Sequence, residues 1–395
     1  MNKESTLFYI TRSYPSVREH GGGSAMMREA AVNYLRKSGF QVVVITPNFA
    51  SNEVVEDNEN GVIQIPYTKN EKFQRVLQRL GIIDDYLDQW VSNALHYLDG
   101  KVKKADIAFS TTGGELGSVK LSFILKQKYG CKNVVNFRDP ISYTKIDGLV
   151  RDKVFHLNRN HLEDKYLSNA DLIVSSCPTF EQALKVRHPN KKDIIKNNYF
   201  GYISPAIKIS SLESRKNDRL RIIYGGNFSS AQSPEIICEA IAMNKNKANI
   251  ELIMIGNYEH YKPVAPYLND YTFHKFLPRE QYSSFLVENA DVGFVPLHEE
   301  YYKFCFPSKI YEYINHGIPM LGALPNGNAL NFINKKGFGY AVHFSDIKAL
   351  SESISKLIDQ NTYHGIKKRV LEEREMWSME NQIKLLISFL KELNN

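Results

Sequence analysis

The chain has 395 residues, 43% of them apolar, 24% charged and 12% aromatic, the balance of a folded globular protein and not of a disordered or fibrous one. That length exceeds one ordinary hydrophobic core and suits two domains of nearly equal size. A net charge of +7 fits a nucleic acid, an anionic membrane surface or a phosphate-bearing substrate, but no Lys/Arg run interleaved with aromatics supports the first.

The N-terminal run Leu7 to Ile10 is shorter than the roughly 7–15 apolar residues at the centre of a signal peptide, which makes a cytoplasmic protein the expectation. No stretch approaches the roughly 18 consecutive apolar residues of a membrane-spanning helix, so any membrane contact is expected to be peripheral. The cysteines Cys131, Cys177, Cys238 and Cys305 lie far apart without CxxC spacing, and neither a zinc site nor a disulfide framework is expected.

Strand-like apolar runs alternate with helical stretches along the whole chain, the pattern of parallel α/β sheets. The first series is Leu7–Ile10, Gln41–Thr46, Val62–Ile65, Asp106–Ser110, Asn133–Phe137 and Asp171–Ser176. The second is Arg221–Tyr224, Glu251–Ile255, Thr272–Phe276, Asp291–Pro296, Pro319–Gly322 and Gly339–Val342. Residues 200–219 have linker composition, with Gly201, Pro205 and a mixed-charge run. The expected domains are therefore 1–205 and 206–375, followed by a closing helix over 376–395 that packs back towards the first domain. The triplets Lys104-Ala105-Asp106, Asn169-Ala170-Asp171 and Asn289-Ala290-Asp291 each lead into a strand. Repetition argues that these aspartates are turn residues.

Gly21-Gly22-Gly23-Ser24 lies between the first strand and the helical stretch Ala25 to Lys37. Glycines there let a ligand approach the backbone, and the first N–H groups of the helix attract anions, so a diphosphate suits Gly22 and Gly23; a flexible loop fits the same residues. From Lys69 to Trp90 a basic amphipathic stretch carries Lys72, Arg75 and Arg79 with Phe73, Val76, Leu77, Leu80, Ile82 and Ile83. It suits either an anionic membrane surface or an ordinary helix packed on its sheet. Asn136-Phe137-Arg138-Asp139-Pro140 follows a strand, and an Asp-Pro turn with Arg138 pairing locally is its plain alternative. The clearest element is Phe306-Pro307-Ser308-Lys309-Ile310-Tyr311-Glu312-Tyr313-Ile314-Asn315-His316-Gly317-Ile318-Pro319. Pro307 and Ser308 suit a helix start, Gly317 its C-terminal cap and Pro319 its stop. Lys309 and Glu312, three apart, share a face: a phosphate partner beside a two-oxygen acceptor for a vicinal diol, or else a surface ion pair.

Together with Tyr224-Gly225-Gly226-Asn227-Phe228 and Ile253-Met254-Ile255-Gly256, these motifs resemble the family-4 type of retaining GT-B glycosyltransferases from about Tyr9 to Leu357. The resemblance implies two Rossmann-like doubly wound domains facing across a cleft, the C-terminal one binding a UDP- or GDP-sugar and the N-terminal one a saccharide acceptor, lipid-linked or not. It places donor binding at Gly22, Gly23, Asn227, Ser308, Lys309 and Glu312, with Glu312 on the ribose hydroxyls, and catalysis at Asp139 and Arg138. A place in surface polysaccharide or glycan assembly is also implied. The chain departs from the pattern at Phe304, where the family often has a glutamate for which Glu299 or Glu300 could substitute. It departs again after Gly226, where an Arg and a Lys are often found and this chain has Asn227-Phe228-Ser229-Ser230. No DxD triplet occurs, so the expectation is no metal and no cofactor, with leaving charge borne by basic side chains and helix dipoles. Two other readings share the fold: a non-hydrolysing nucleotide-sugar epimerase and a catalytically inactive binding scaffold.

Overall fold

A computed structural model describes residues 5–15, 23–141, 153–203 and 219–393. The chain divides into two compact units, one of Met1–Phe200 with Gln382–Asn395, the other of Gly201–Asn381. Residues 204–218, most of the expected linker, lie outside the described residues.

The first unit runs β1 (Thr6–Thr11), α1 (Gly23–Lys37), β2 (Gln41–Asn48), β3 (Val55–Asp57), β4 (Val62–Pro66), α2 (Glu71–Arg79), α3 (Asp88–Tyr97), β5 (Ile107–Gly113), α4 (Gly117–Tyr129), β6 (Lys132–Asp139), α5 (Lys153–Leu167), β7 (Leu172–Ser175), α6 (Pro178–Arg187) and β8 (Ile195–Asn197). Its sheet has the order β3-β4-β2-β1-β5-β6-β7-β8, parallel except where β3 returns antiparallel against β4. The strands read as near-continuous apolar runs because helices cover both faces. One of those faces is built on Trp90, Tyr86, Leu87, Leu121 and Ile45.

The second unit runs β9 (Leu220–Gly225), α7 (Ile236–Ala242), β10 (Ile250–Ile255), β11 (Thr272–His274), α8 (Arg279–Asn289), β12 (Val292–Pro296), α9 (Ser308–Asn315), β13 (Met320–Leu324), α10 (Asn328–Lys336), β14 (Gly339–His343), α11 (Ile347–Ile358) and α12 (Gln360–Glu373). Its parallel sheet has the order β11-β10-β9-β12-β13-β14. The last helix, α13 (Met379–Glu392), buries Ile383, Leu386, Ile387 and Leu390. Within the first unit, Asn198 Nδ2 donates to the Gln382 carbonyl at 2.8 Å.

All twelve expected strands form, and β3 and β8 are additions. Each has three residues, too few for a periodic signal. The repeated aspartates have one structural job. Asp106 accepts from the Thr6 N–H at 2.8 Å, Asp171 from the Asn133 N–H at 2.8 Å and Asp291 from the Arg221 N–H at 2.9 Å. Each carboxylate thus satisfies an N–H at the start of a neighbouring strand, where the sheet ladder leaves a donor unpaired.

The packed-helix alternative for the stretch 69–90 holds at Trp90 but not for most of the apolar residues before it. Trp90 is fully buried under the sheet on α3, as an ordinary core residue. On α2 Gln78 is buried, Glu71, Arg75 and Leu77 are half-buried, and Phe73, Val76 and Leu80 remain exposed.

Candidate active site

In an open parallel sheet, ligands bind outside the carboxyl ends of the strands where the strand order reverses. That point lies between β1 and β5 in the first unit and between β9 and β12 in the second.

In the second unit, β9 ends in Gly225, and the turn carries Gly226 and the exposed Asn227. The backbone is kept close by contacts only glycine allows: a Cβ on Gly225 would lie 2.3 Å from the Tyr282 hydroxyl, and one on Gly293 2.5 Å from the Tyr313 ring. Tyr282 and Tyr313 thereby slot against β9 and β12. Tyr313 donates to the carbonyls of Phe294 at 3.3 Å and Ile223 at 3.4 Å. Burial first, then the neighbouring Tyr313 and Glu312, pushes the Tyr282 phenol well above its ordinary range, so it stays neutral.

Helix α9 starts after Pro307 with Ser308 exposed in its first turn. It ends in a Schellman motif: the Gly317 N–H donates to Ile314 at 3.0 Å and the Ile318 N–H to Tyr313 at 2.9 Å. Gly317 adopts φ +62°, the left-handed conformation such a cap requires. Lys309 and Glu312 meet on one face, Nζ to Oε2 2.7 Å, both about a quarter exposed. Lys309 Nζ also sits 4.5 Å from the Tyr282 ring centroid and 3.4 Å from its hydroxyl. The resting arrangement is therefore the ion pair, held over a neutral phenol. The same two groups remain open enough to exchange partners, an anion for Lys309 and hydroxyls for Glu312.

Behind them His316 is buried. Its Nδ1 lies 2.7 Å from the Glu312 carbonyl and its Nε2 2.9 Å from the Ser283 hydroxyl. A carbonyl can only accept, so Nδ1 carries the proton and neutral Nε2 accepts from Ser283. Burial, aided by the charges of Lys309 and Arg279 and opposed by Glu312, lowers the His316 pKa below 6.5. The sign follows from linkage: the unfolded chain binds a proton below about pH 6.5 that the folded imidazole refuses, so stability rises with pH. The contribution is complete above that value and is lost as pH falls below it. We expect melting temperature to fall less between pH 7.5 and 5.0 in His316→Asn than in the parent; parallel curves would assign the acid sensitivity elsewhere.

Phe304 is buried in a 3-10 turn, Glu300–Phe304. Glu300 is exposed, its Oε1 2.6 Å from His343 Nε2.

In the first unit Gly22 lies outside the described residues, and Gly23 opens α1. Asp139 ends β6. A Cβ on Gly113, at the end of β5, would lie 3.5 Å from Glu115 Oε2, 3.6 Å from Arg28 Nη2 and 3.7 Å from Asp139 Oδ2. Three charged groups thus converge over one glycine at the switch point. Arg28 and Glu115 form a buried ion pair at 3.8 Å, and the Gly113 N–H donates to Glu115 at 3.0 Å. Arg28 also bonds the Ser13 hydroxyl. Arg138 turns elsewhere, its guanidinium 4.3 Å from the Phe200 ring centroid and Nη2 3.5 Å from Met27 Sδ. Sequence reading missed Arg28 and Glu115. Glu115 follows a Gly-Gly pair at a strand end, the same signal used for Gly22 and Gly23, whereas nothing local marks Arg28.

The chain has the two-domain parallel α/β fold of the GT-B glycosyltransferases. Residues 207–379 match the model of the family described as Glycosyl transferases group 1. Among solved structures, the sucrose-phosphate synthase of Thermosynechococcus elongatus is similar over 98% of this chain and 99% of its own, with 16% identity and TM-score 0.71. HepE of Anabaena in complex with UDP is similar over 98% and 100%, with 12% identity and TM-score 0.67. The lipopolysaccharide outer core galactosyltransferase WaaB in its apo form is similar over 98% and 99%, with 12% identity and TM-score 0.69. No curated protein sequence matches the chain. Among the described residues, no helix is long and apolar enough to cross a membrane.

Proposed function

We propose that this protein is a retaining glycosyltransferase of the family-4 type that moves a sugar from a UDP- or GDP-sugar to a saccharide acceptor in surface polysaccharide or glycan assembly. The observation that carries the reading is the Lys309–Glu312 pair on α9, inside the segment that matches the glycosyl transferases group 1 model. HepE, a protein of similar fold solved with UDP, supports a nucleotide donor.

In this reading Glu312 accepts hydrogen bonds from the ribose diol, and Lys309 leaves it for the donor diphosphate. Ser308 and Asn227 make further donor contacts, and Gly22 and Gly23 admit the diphosphate close to the backbone. The bond between the anomeric carbon and the leaving phosphate oxygen breaks while the acceptor oxygen bonds to the same face. The acceptor proton passes to the departing diphosphate. Asp139 orients the acceptor hydroxyl by accepting its hydrogen bond, and Arg138 supports that strand end. Lys309 and the N-terminus of α9 carry the developing charge, so no metal is required.

The test is turnover. Incubation with UDP- and GDP-sugars and a panel of saccharide acceptors should release nucleoside diphosphate only when acceptor is present, and the anomeric proton coupling of the product should match that of the donor. A new nucleotide-sugar isomer formed without acceptor would identify an epimerase. Nucleotide binding without turnover on any acceptor would identify an inactive scaffold.

A further inference from the structure

Helix α2 is assembled inside out. Its polar residues Glu71, Arg75 and Gln78 are all engaged with the rest of the unit. Glu71 accepts from Arg12 at 3.0 Å and from Arg75 at 2.7 Å. The Arg75 guanidinium lies 4.1 Å from the Tyr86 ring centroid. Gln78 donates to Asp85 at 3.3 Å and accepts from the Tyr86 N–H at 3.3 Å. These residues, at i, i+4 and i+7, fix the helix to the unit, and Asn70 caps its start by accepting from the Phe73 N–H at 3.1 Å. Leu77 is half-buried, but the other apolar residues face outward: Phe73 is 58% exposed, Val76 48%, Leu80 67% and, just beyond the helix, Ile82 65%. Four large exposed apolar side chains thus fall within ten residues, and Phe73, Val76 and Leu80 share one helix face by their spacing, unlike the scattered apolar residues of an ordinary surface. The exposed charges in the stretch 68–82 are Lys69, Lys72 and Arg79, all basic, while its one carboxylate, Glu71, is drawn inward by two arginines.

We infer that the outer face of α2 docks on an anionic lipid bilayer surface. A rim of cations around exposed apolar side chains matches an interface that offers acyl chains beneath negative headgroups. A second copy of the chain fits worse. A twofold contact would bring each basic rim against its twin. The inference stands on the helix alone and holds whatever reaction the protein catalyses.

Vesicle co-sedimentation of the full chain tests it, with phosphatidylcholine alone and with about 30% phosphatidylglycerol added. Binding should require the anionic lipid and weaken with salt. Lys69→Gln/Lys72→Gln/Arg79→Gln should lower the partition coefficient by about fivefold per charge removed. Phe73→Ser/Val76→Ser/Leu80→Ser should abolish binding, and both variants should keep the parent melting temperature because the altered side chains are exposed. Equal recovery with and without anionic lipid would overturn the inference, as would undiminished binding by the triple serine variant. A dimer in solution that the triple serine variant dissolves would assign the face to a second copy and overturn it too.

Discussion

Replacing Glu312 by alanine is expected to weaken binding of the cognate nucleoside diphosphate by about one to two decades, because a hydrogen bond to a charged group contributes roughly 1.5–3 kcal/mol. The resting structure refines that expectation. Glu312 is paired with Lys309 at 2.7 Å, so its removal also frees the ammonium for phosphate and offsets part of the loss. The free nucleoside, which lacks phosphate, should therefore lose proportionally more affinity than the diphosphate. Folding stability should barely move, since a partly exposed i,i+3 pair is worth well under about 1 kcal/mol. Calorimetric titration of parent and Glu312→Ala with UDP, GDP and their nucleosides measures all of this. Unchanged affinity for every nucleotide, in a variant that melts like the parent, would remove Glu312 from the donor site.

A second large effect is expected at Asp85, which no site motif touches. Asp85 and Arg159 are both fully buried and meet at 3.2 Å. Asp85 also accepts from the N–H groups of Leu87 at 3.1 Å and Leu116 at 3.0 Å, and Arg159 donates to the Gly114 carbonyl at 2.8 Å. Removing one partner leaves a buried charge uncompensated, which typically costs about 3–5 kcal/mol. Asp85→Ala should therefore lower the denaturation midpoint of the first unit sharply, while Asp85→Leu combined with Arg159→Met should recover part of the loss. The pair clamps Gly114 and Leu116 on either side of Glu115, so the single variant should also disturb the charged cluster at Gly113. Denaturant titration followed by far-ultraviolet circular dichroism gives the midpoint; a shift within that of an exposed Asp→Ala control would show the pair to be energetically idle.

Much of the architecture was legible in the sequence. Buried parallel strands are read from local apolar runs, and all twelve expected ones form, although β11 keeps only three of its five expected residues. The termini of α9 were likewise legible locally: Pro307, Gly317 and Pro319 act through their own backbone geometry within a few residues. The placement of Lys309 and Glu312 on one helical face also follows from spacing alone. The aspartates at 106, 171 and 291 were recognisable as structural through their repetition, although their partners lie 100, 38 and 70 residues away.

What the tertiary structure decided are the contacts made across such distances. Whether Lys69 to Trp90 turns its apolar side inward depends on what polar partners the rest of the unit offers. Arg12, Tyr86 and Asp85 hold the polar side of α2, so its apolar side faces out, while Trp90, on the next helix, goes to the core. The convergence of Arg28, Glu115 and Asp139 over Gly113 is likewise a product of sheet order, which brings the ends of β5 and β6 together and carries no local signal. Apolar periodicity and turn chemistry act within a few residues and determined the elements. Charge pairing and close packing act between elements distant in sequence, and only the fold determines which side chains meet.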